Sequence, residues 1–138
     1  MGKIMAVDFG TKSCGIAVTD DLQIIASGLE TVDTEHIFQF MKKYFSDHQV
    51  EAIVIGLPVD LKGNLSEVEV HIQAFIRTFE EKFPEVKVHR FDERFTSKMA
   101  SCYISQSGKN KKKKENKALI DMVSATLILQ NFLEQQQR

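Results

Sequence analysis

Hydrophobic residues fall along the chain in two patterns, short unbroken runs and helical stripes, and each pattern predicts a different element. Two unbroken runs, one ending at Asp8 and one at Leu57, are typical of central strands that are covered on both faces of a sheet. Shorter segments predict three more strands, with the acidic pair Asp20-Asp21 in the turn between the second and the third. The five predicted strands cover residues 4–9, 15–19, 23–31, 52–57 and 86–91.

Apolar residues at helical spacing lie between the later strands and again after the last strand. Thr34 caps the first predicted helix, which ends at Asp47-His48, and Ser66 and Glu69 form a capping-box pair at the start of the second. The predicted helices cover about 35–47, 67–83, 97–104 and 117–134. This order, βββαβαβαα, predicts an α/β fold. Its five-stranded mixed sheet combines a three-stranded meander with right-handed βαβ crossovers and carries helices on both faces.

Composition agrees with one globular domain over residues 1–138. The chain is 43% hydrophobic and 27% charged, which supplies a single core and excludes a disordered chain. No apolar run approaches the roughly 18 residues of a membrane span, and the first residues lack a signal-peptide pattern. We therefore expect a cytoplasmic protein without a membrane partner. Cys14 and Cys102 lack metal-ligand spacing, and we expect both to be reduced.

The net charge of −1 hides an uneven distribution. Six of the 18 basic residues and one of the 19 acidic residues lie between Lys109 and Lys117. This segment therefore carries a local charge of +5, and the rest of the chain carries −6. A basic segment on an acidic body is typical either of a solvated tract or of an arm that grips phosphates.

Three acidic positions fall where ligands collect in open α/β sheets, at the carboxyl ends of the strands. Asp8 ends the first central strand and Asp92-Glu93 ends the last one. Because side chains alternate along a strand, only one of that pair can share the face of Asp8. Asp121 aligns with the apolar stripe of the last helix, so it either turns inward towards a cation or pairs with Lys117 at the surface.

Carboxylates from separate segments that meet in one crevice make an oxygen-rich site that suits Mg²⁺ or Mn²⁺. Two such ions, roughly 3.5–4 Å apart, activate water and stabilise the leaving oxygen in phosphodiester hydrolysis. Directly after Asp8 comes a turn that contains Gly10, Thr11 and Lys12, in which backbone amides and the lysine can hold a phosphate. The same glycine is expected in a hairpin that only needs its backbone freedom.

Four groups of residues, in order along the chain, form a recognisable combination. They read AVDFGTK with GIAVTD (6–12 and 15–20), IGLP (55–58), DERFTS (92–97) and DMVSATLILQ (121–130). Together they resemble the YqgF (RuvX) family of bacterial proteins, which has a ribonuclease-H-like fold, and the similarity spans nearly the whole chain. The resemblance implies a divalent-metal-dependent nuclease that processes the 5′ end of pre-16S rRNA in ribosome biogenesis. The alternative that it implies is a Holliday-junction resolvase in DNA recombination and repair.

By position in the family's motifs, the resemblance implies that Asp8, Glu93 and Asp121 are the catalytic acids and the ligands of two Mg²⁺ or Mn²⁺ ions. Of the pair Asp92-Glu93 that ends the last strand, the resemblance therefore selects Glu93. Two departures from the family pattern bear on substrate preference. Ser13 stands where many members have a basic residue, and Asp60 stands where an asparagine is common.

The partner implied by the resemblance is nucleic acid, with structured or single-stranded RNA favoured over branched DNA. Ribosomal precursor particles are a wider expected partner, and we expect a monomer or a weak homodimer. The phosphate turn is assigned to Gly10 and Thr11. The expected nucleic-acid-binding residues are Lys12, Arg94, Lys98, Lys109, Lys111, Lys112, Lys113 and Lys114.

Two other functions stay open on the sequence alone. Residues 8–11 also look like the phosphate loop of the actin and sugar-kinase superfamily, which indicates a small phosphotransferase or ATPase. Such proteins close two domains over a nucleotide, however, and this chain supplies one. A non-catalytic ribosome-assembly factor that binds RNA without cutting it has the same pattern, because metal ligands can persist without turnover.

Overall fold

The computed structural model describes residues 2–58, 66–92 and 113–136, and five strands in it form one mixed sheet. The strands are β1 (Lys3–Asp8), β2 (Ser13–Thr19), β3 (Ala26–Asp33), β4 (Val50–Leu57) and β5 (Lys87–Asp92). Their order across the sheet is β3-β2-β1-β4-β5. The first three strands form an antiparallel meander, and β4 and β5 extend the sheet in parallel from β1. The predicted mixed sheet is therefore confirmed.

Helices cover both faces of the sheet, as predicted. Within the described ranges they are α1 (Ile37–Asp47), which follows a 3-10 turn over Thr34–His36, α2 (Val68–Lys82) and α3 (Lys113–Gln136). Residues of α1 and α2 form one core cluster with Met5 and Val7 of β1, whereas α3 packs with Ile4 and Ala6 on the other face. This alternation along β1 places Asp8 on the face that α3 covers.

Two predicted starting points are wrong, and tertiary hydrogen bonds explain both. The third strand begins at Ala26 rather than at residue 23. Gln23 instead adopts a left-handed conformation with φ 59°, and its side chain donates to the carbonyl oxygen of Gly2. Thr34 does not cap α1, because its hydroxyl donates to the carbonyl oxygen of Gly10 at 2.6 Å and a 3-10 turn precedes the helix.

The capping box predicted for α2 does not form, because Glu67 rather than Ser66 directly precedes the helix and the Glu67 side chain makes no capping hydrogen bond. The Ser66 hydroxyl oxygen accepts a hydrogen bond from the backbone N–H of Val68 at 3.3 Å. The Glu69 carboxylate, by contrast, binds the side chains of Arg90 and Gln73. A guanidinium is a stronger donor to a carboxylate than a neutral amide is, so the predicted reciprocal contact of Glu69 is wrong.

Three smaller expectations meet different outcomes. Cys14 is a buried free thiol, as expected. The last helix already includes Lys113, within the lysine-rich segment, so it extends beyond its predicted start at residue 117. The helix predicted over 97–104 and Cys102 lie outside the described residues. In the part of the chain that the structure describes, no helix is long and apolar enough to cross a membrane.

Candidate active site

Asp8 and Asp121 are brought together by the close approach of α3 to β2. Asp8 is the last residue of β1 and pairs in register with Gly15 of β2. A Cβ atom placed on Gly15 would lie 2.0 Å from the backbone carbonyl oxygen of Asp121. The absence of a side chain at Gly15 therefore lets the backbone of α3 rest on the strand beside Asp8. Two of the three predicted acids thus meet at the carboxyl end of β1.

The carboxylate of Asp121 is fixed by a hydrogen bond to the sheet. The hydroxyl of Ser13, the first residue of β2, donates to Oδ2 of Asp121 at 3.0 Å. The stripe predicted to carry Asp121 inward is confirmed, since Ala125, Ile128 and Leu129 are fully buried against the sheet. The side chain of Lys117, the surface partner considered for Asp121, lies outside the described side chains.

The thiol of Cys14 lies within reach of both acidic charges. Burial raises the pKa of Cys14 above its ordinary value of 9.0, hydrogen bonds with Thr34 and Gly10 act in the opposite direction, and the negative charges of Asp8 and Asp121 raise it further. Both acids therefore lie close enough to this end of β2 to act on the thiol electrostatically. The raised pKa also keeps the thiol neutral, so Cys14 is a packing group rather than a nucleophile.

The alternation of side chains along β5 separates Asp92 from this site. Phe91 packs into the core cluster under α3, and the ring of His89 lies 5.2 Å from that of Phe132 on the same helix. Arg90 points to the opposite face, where it binds α2. Asp92 follows at the same phase as Arg90, which places it on the face opposite to Asp8. Glu93, the third predicted acid, lies outside the described residues.

An ion pair between Glu69 and Arg90 ties α2 to the ends of two strands. The guanidinium donates to both carboxylate oxygens, at 2.7 and 2.9 Å, in a fork that favours strong pairing. The same guanidinium donates to the carbonyl oxygens of Ile55 at 3.4 Å and Gly56 at 3.1 Å. This contact was not predicted from the sequence, because Glu69 was interpreted as a capping residue. Its signal in the sequence was Arg90, which lies in phase with the apolar Val88 of the same strand.

Replacing Glu69 with Gln should destabilise the protein by about 2–3 kcal/mol at neutral pH, because the half-buried guanidinium of Arg90 loses its charged partner. The hydrogen bonds from Arg90 hold the pKa of Glu69 below its ordinary value of 4.5. Its contribution to stability is therefore present above pH 4.5 and is lost as the pH falls through the lower folded-state pKa.

Urea unfolding at pH 7 and at pH 3 measures this contribution. The stability difference between the wild type and Glu69→Gln should shrink at pH 3, whereas Glu80→Gln, at an exposed position of α2, should match the wild type at both values. A difference of equal size at pH 7 and pH 3 would contradict the role assigned to the ion pair.

The turn between β1 and β2 is held by Thr34. The Thr34 hydroxyl donates to the carbonyl oxygen of Gly10, and its backbone N–H donates to that of Lys12 at 2.9 Å. A Cβ atom on Gly10 would lie 2.5 Å from the carbonyl oxygen of Ser13, so the turn itself requires this glycine. The side chains of Thr11 and Lys12 are exposed at the same end of the sheet as Asp8.

Several predicted site residues lie outside the described part of the chain. For the first turns of α3 the helical backbone is described, and the side chains are not; this applies to Lys113 and Lys114. The residues outside altogether are Asp60, Glu93, Arg94, Lys98, Lys109, Lys111 and Lys112. Their assignments remain predictions.

An exposed cluster beside the site was not predicted from the sequence. One ligand atom each from Asp33, Glu35 and His36 lies within 4.8 Å of the others, and Asp33 pairs in register with Ser13. All three side chains are exposed. Because water already satisfies exposed acidic groups, we assign no metal to this cluster.

Comparisons with known proteins found a matching family model and several similar relatives. The model of the RuvX family, described as Holliday junction resolvase, matches residues 2–135. A protein of Christiangramia forsetii is 49% identical over 133 residues, 96% of this chain and 98% of that protein. One of Flavobacterium johnsoniae is also 49% identical over 133 residues, 96% of each chain. One of Bacteroides thetaiotaomicron is 46% identical over 134 residues, 97% of each chain.

All three relatives carry the name "Putative pre-16S rRNA nuclease". Among solved structures, YeaZ from Pseudomonas aeruginosa is similar with a TM-score of 0.43 and 17% identity, over 78% of this chain and 50% of that chain. This structural similarity is too low to inform the function.

Proposed function

The chain belongs to the RuvX family, and on that premise we propose that it is a divalent-metal-dependent nuclease of the cytoplasm that processes the 5′ end of pre-16S rRNA. It is then a hydrolase acting on phosphodiester bonds. The observation that carries the proposal is the meeting of Asp8 and Asp121 on one face of the sheet, at the carboxyl end of β1. The names of the relatives support the substrate.

The residues at this end of the sheet fit a hard divalent cation. Asp8 and Asp121 supply carboxylate oxygens from two separate elements, and we assign Glu93 as the third ligand. The hydroxyl of Ser124, one turn beyond Asp121 on α3, is buried and has no hydrogen-bond partner within the described residues, so it retains the capacity to bind a polar ligand. Two bound Mg²⁺ or Mn²⁺ ions supply activation of a water molecule and stabilisation of the leaving oxygen.

The chain's own residues have distinct roles in this proposal. Asp8 and Asp121 hold the metal, and their charge repels the phosphate backbone in its absence. Lys12, exposed on the turn next to Asp8, neutralises a phosphate of the bound strand. The substrate is structured or single-stranded RNA, free or within a ribosomal precursor particle, and the protein acts as a monomer or a weak homodimer.

A Holliday-junction resolvase is the second candidate, because the matching family model carries that description. Symmetric cutting of a four-way DNA junction requires a two-fold dimer that presents two active sites. The third candidate is an assembly factor that binds RNA without cleaving it, and an experiment must distinguish it from the two nucleases.

One cleavage assay separates these functions. The substrates are an RNA fragment spanning the 5′ precursor junction of 16S rRNA and a four-way DNA junction, each with Mn²⁺ or with EDTA. We expect the RNA to be cut with Mn²⁺ only. Cutting of the DNA junction alone would favour the resolvase, and tight RNA binding without any cutting would favour the assembly factor.

The lysine-rich segment should supply most of the long-range attraction for RNA, because the rest of the chain is acidic. Each lysine that neutralises a phosphate contributes roughly −0.7 to the slope of log K against log salt for single strands. Replacing Lys111, Lys112, Lys113 and Lys114 with Ser should therefore flatten this slope by about two to three units.

Fluorescence anisotropy of a labelled RNA at several salt concentrations measures this slope, with Ca²⁺ in place of the active metal to suppress cutting. The control replaces Lys42 and Lys43, which are exposed on α1 on the face opposite to α3, and should leave the slope unchanged. Equal slopes for the wild type and the four-lysine variant would show that the segment makes no phosphate contacts.

A further inference from the structure

We infer that Ser13 is a positioning residue that holds the carboxylate of Asp121 in the orientation needed to bind metal. The inference rests on the proposed function, since it assumes that Asp121 is a metal ligand. It concerns one contact, the hydrogen bond of 3.0 Å from the Ser13 hydroxyl to Oδ2 of Asp121.

The position of Ser13 in the sheet suits this role. Ser13 lies two residues before Gly15 on the same strand, so both face α3. Gly15 sets the distance of the α3 backbone at Asp121, and Ser13 reaches the side chain of the same residue. Strand β2 therefore fixes Asp121 at two points. Gly15 sets the position of its backbone, and Ser13 sets the direction of its carboxylate.

The Ser13 hydroxyl constrains the rotation of the Asp121 carboxylate. A carboxylate can rotate about its last side-chain bond, and a donor on Oδ2 selects one rotation and so sets the direction in which Oδ1 points. Because Ser13 is neutral, this orientation is achieved without a positive charge that would compete with the metal ion. Partners of this kind typically change metal affinity by 10- to 100-fold when they are removed.

The main chain around Ser13 is held independently of its hydroxyl. The carbonyl oxygen of the preceding residue, Lys12, accepts a hydrogen bond from Thr34, and the register of β2 with β3 pairs Ser13 with Asp33. Removing the hydroxyl therefore leaves the strand in place. The expected effect falls on Asp121 and not on the fold.

Calorimetric titration of the metal-free full-length protein with Mn²⁺, without nucleic acid, tests the inference. Ser13→Ala should raise the Kd for Mn²⁺ by about tenfold. Ser13→Thr keeps a hydroxyl and should stay within about threefold of the wild type. Ser13→Val has the shape of threonine without the hydroxyl, so its Kd should match that of Ser13→Ala. Ser27→Ala, at an exposed position of β3, is the control and should bind as the wild type does.

Two results would overturn the inference while leaving the proposed function intact. One is a Kd for Ser13→Ala equal to or lower than that of the wild type. The other is equal weakening by Ser13→Thr and Ser13→Val, which would show that shape and not the hydroxyl matters. If the wild type binds no Mn²⁺, or if Asp121→Asn binds it unchanged, the metal site of the proposed function fails, and the role of Ser13 fails with it.

Discussion

Replacing Asp8 with Asn should abolish metal-dependent cleavage of RNA and leave the protein folded. Asparagine has nearly the same shape, but it removes one of the negative charges that hold the metal at the carboxyl end of β1. We expect a loss of about 1000-fold or more in the cleavage rate, which corresponds to about 4 kcal/mol of transition-state stabilisation. Without metal, the variant should be as stable as the wild type or more stable, because Asp8 and Asp121 repel each other.

Two measurements on the same preparations check this prediction. The first is the rate of RNA cleavage with Mn²⁺, and the second is thermal unfolding in EDTA. Asp47→Asn, at the exposed end of α1, removes the same charge elsewhere and should cut at the wild-type rate. An Asp8→Asn protein that cuts as fast as the wild type would show that Asp8 is not a metal ligand.

The central strands were predictable because burial on both faces leaves a simple mark in the sequence. β1 and β4 each contain at least four consecutive buried residues, and such a run has few alternatives to a covered strand. The edge strand β3 is mostly exposed, so its hydrophobic pattern is weak. Its start was predicted three residues too early, within a turn that tertiary hydrogen bonds of Gln23 hold in place.

The alternation of side chains along β5 could not by itself decide between Asp92 and Glu93. Alternation along a strand implies that neighbouring side chains face opposite ways, but it does not tell which face of the strand lies under α3. That information comes from contacts between distant segments, namely His89 with Phe132 and Arg90 with Glu69. The structure therefore removes Asp92 from the face of Asp8, and the family resemblance independently selects Glu93.

The inward direction of Asp121 was predictable from its helix, and its surroundings were not. The apolar stripe of α3 is local and visible in the sequence, whereas Ser13 and Gly15 lie more than 100 residues away along the chain. At the level of sequence, Gly15 is only the first residue of the second predicted strand. In the structure the space that it leaves is taken by the backbone of α3 at Asp121.

Replacing Gly15 with Ala should therefore damage the active site, although Gly15 has no side chain with which to bind metal or substrate. The added Cβ would lie 2.0 Å from the carbonyl oxygen of Asp121, 2.2 Å from its carbonyl carbon and 2.8 Å from the backbone nitrogen of Met122. These atoms belong to a helix backbone, so α3 must move as a unit. We expect a loss of about 1–3 kcal/mol in stability. A displacement of Asp121 by about 1 Å should lower the cleavage rate by about 100-fold.

Gly28→Ala is the matched control, because Gly28 lies on the neighbouring strand β3 and also faces α3. Its added Cβ would meet the Cγ atom of Met122 at 2.8 Å, and a flexible methionine side chain can move aside where a backbone cannot. The two variants are compared by their cleavage rates, Mn²⁺ affinities and urea unfolding. Gly15→Ala should lose metal affinity and activity together, whereas Gly28→Ala should retain both within a few-fold. If both variants keep wild-type metal affinity, the close approach at Gly15 does not set the position of Asp121.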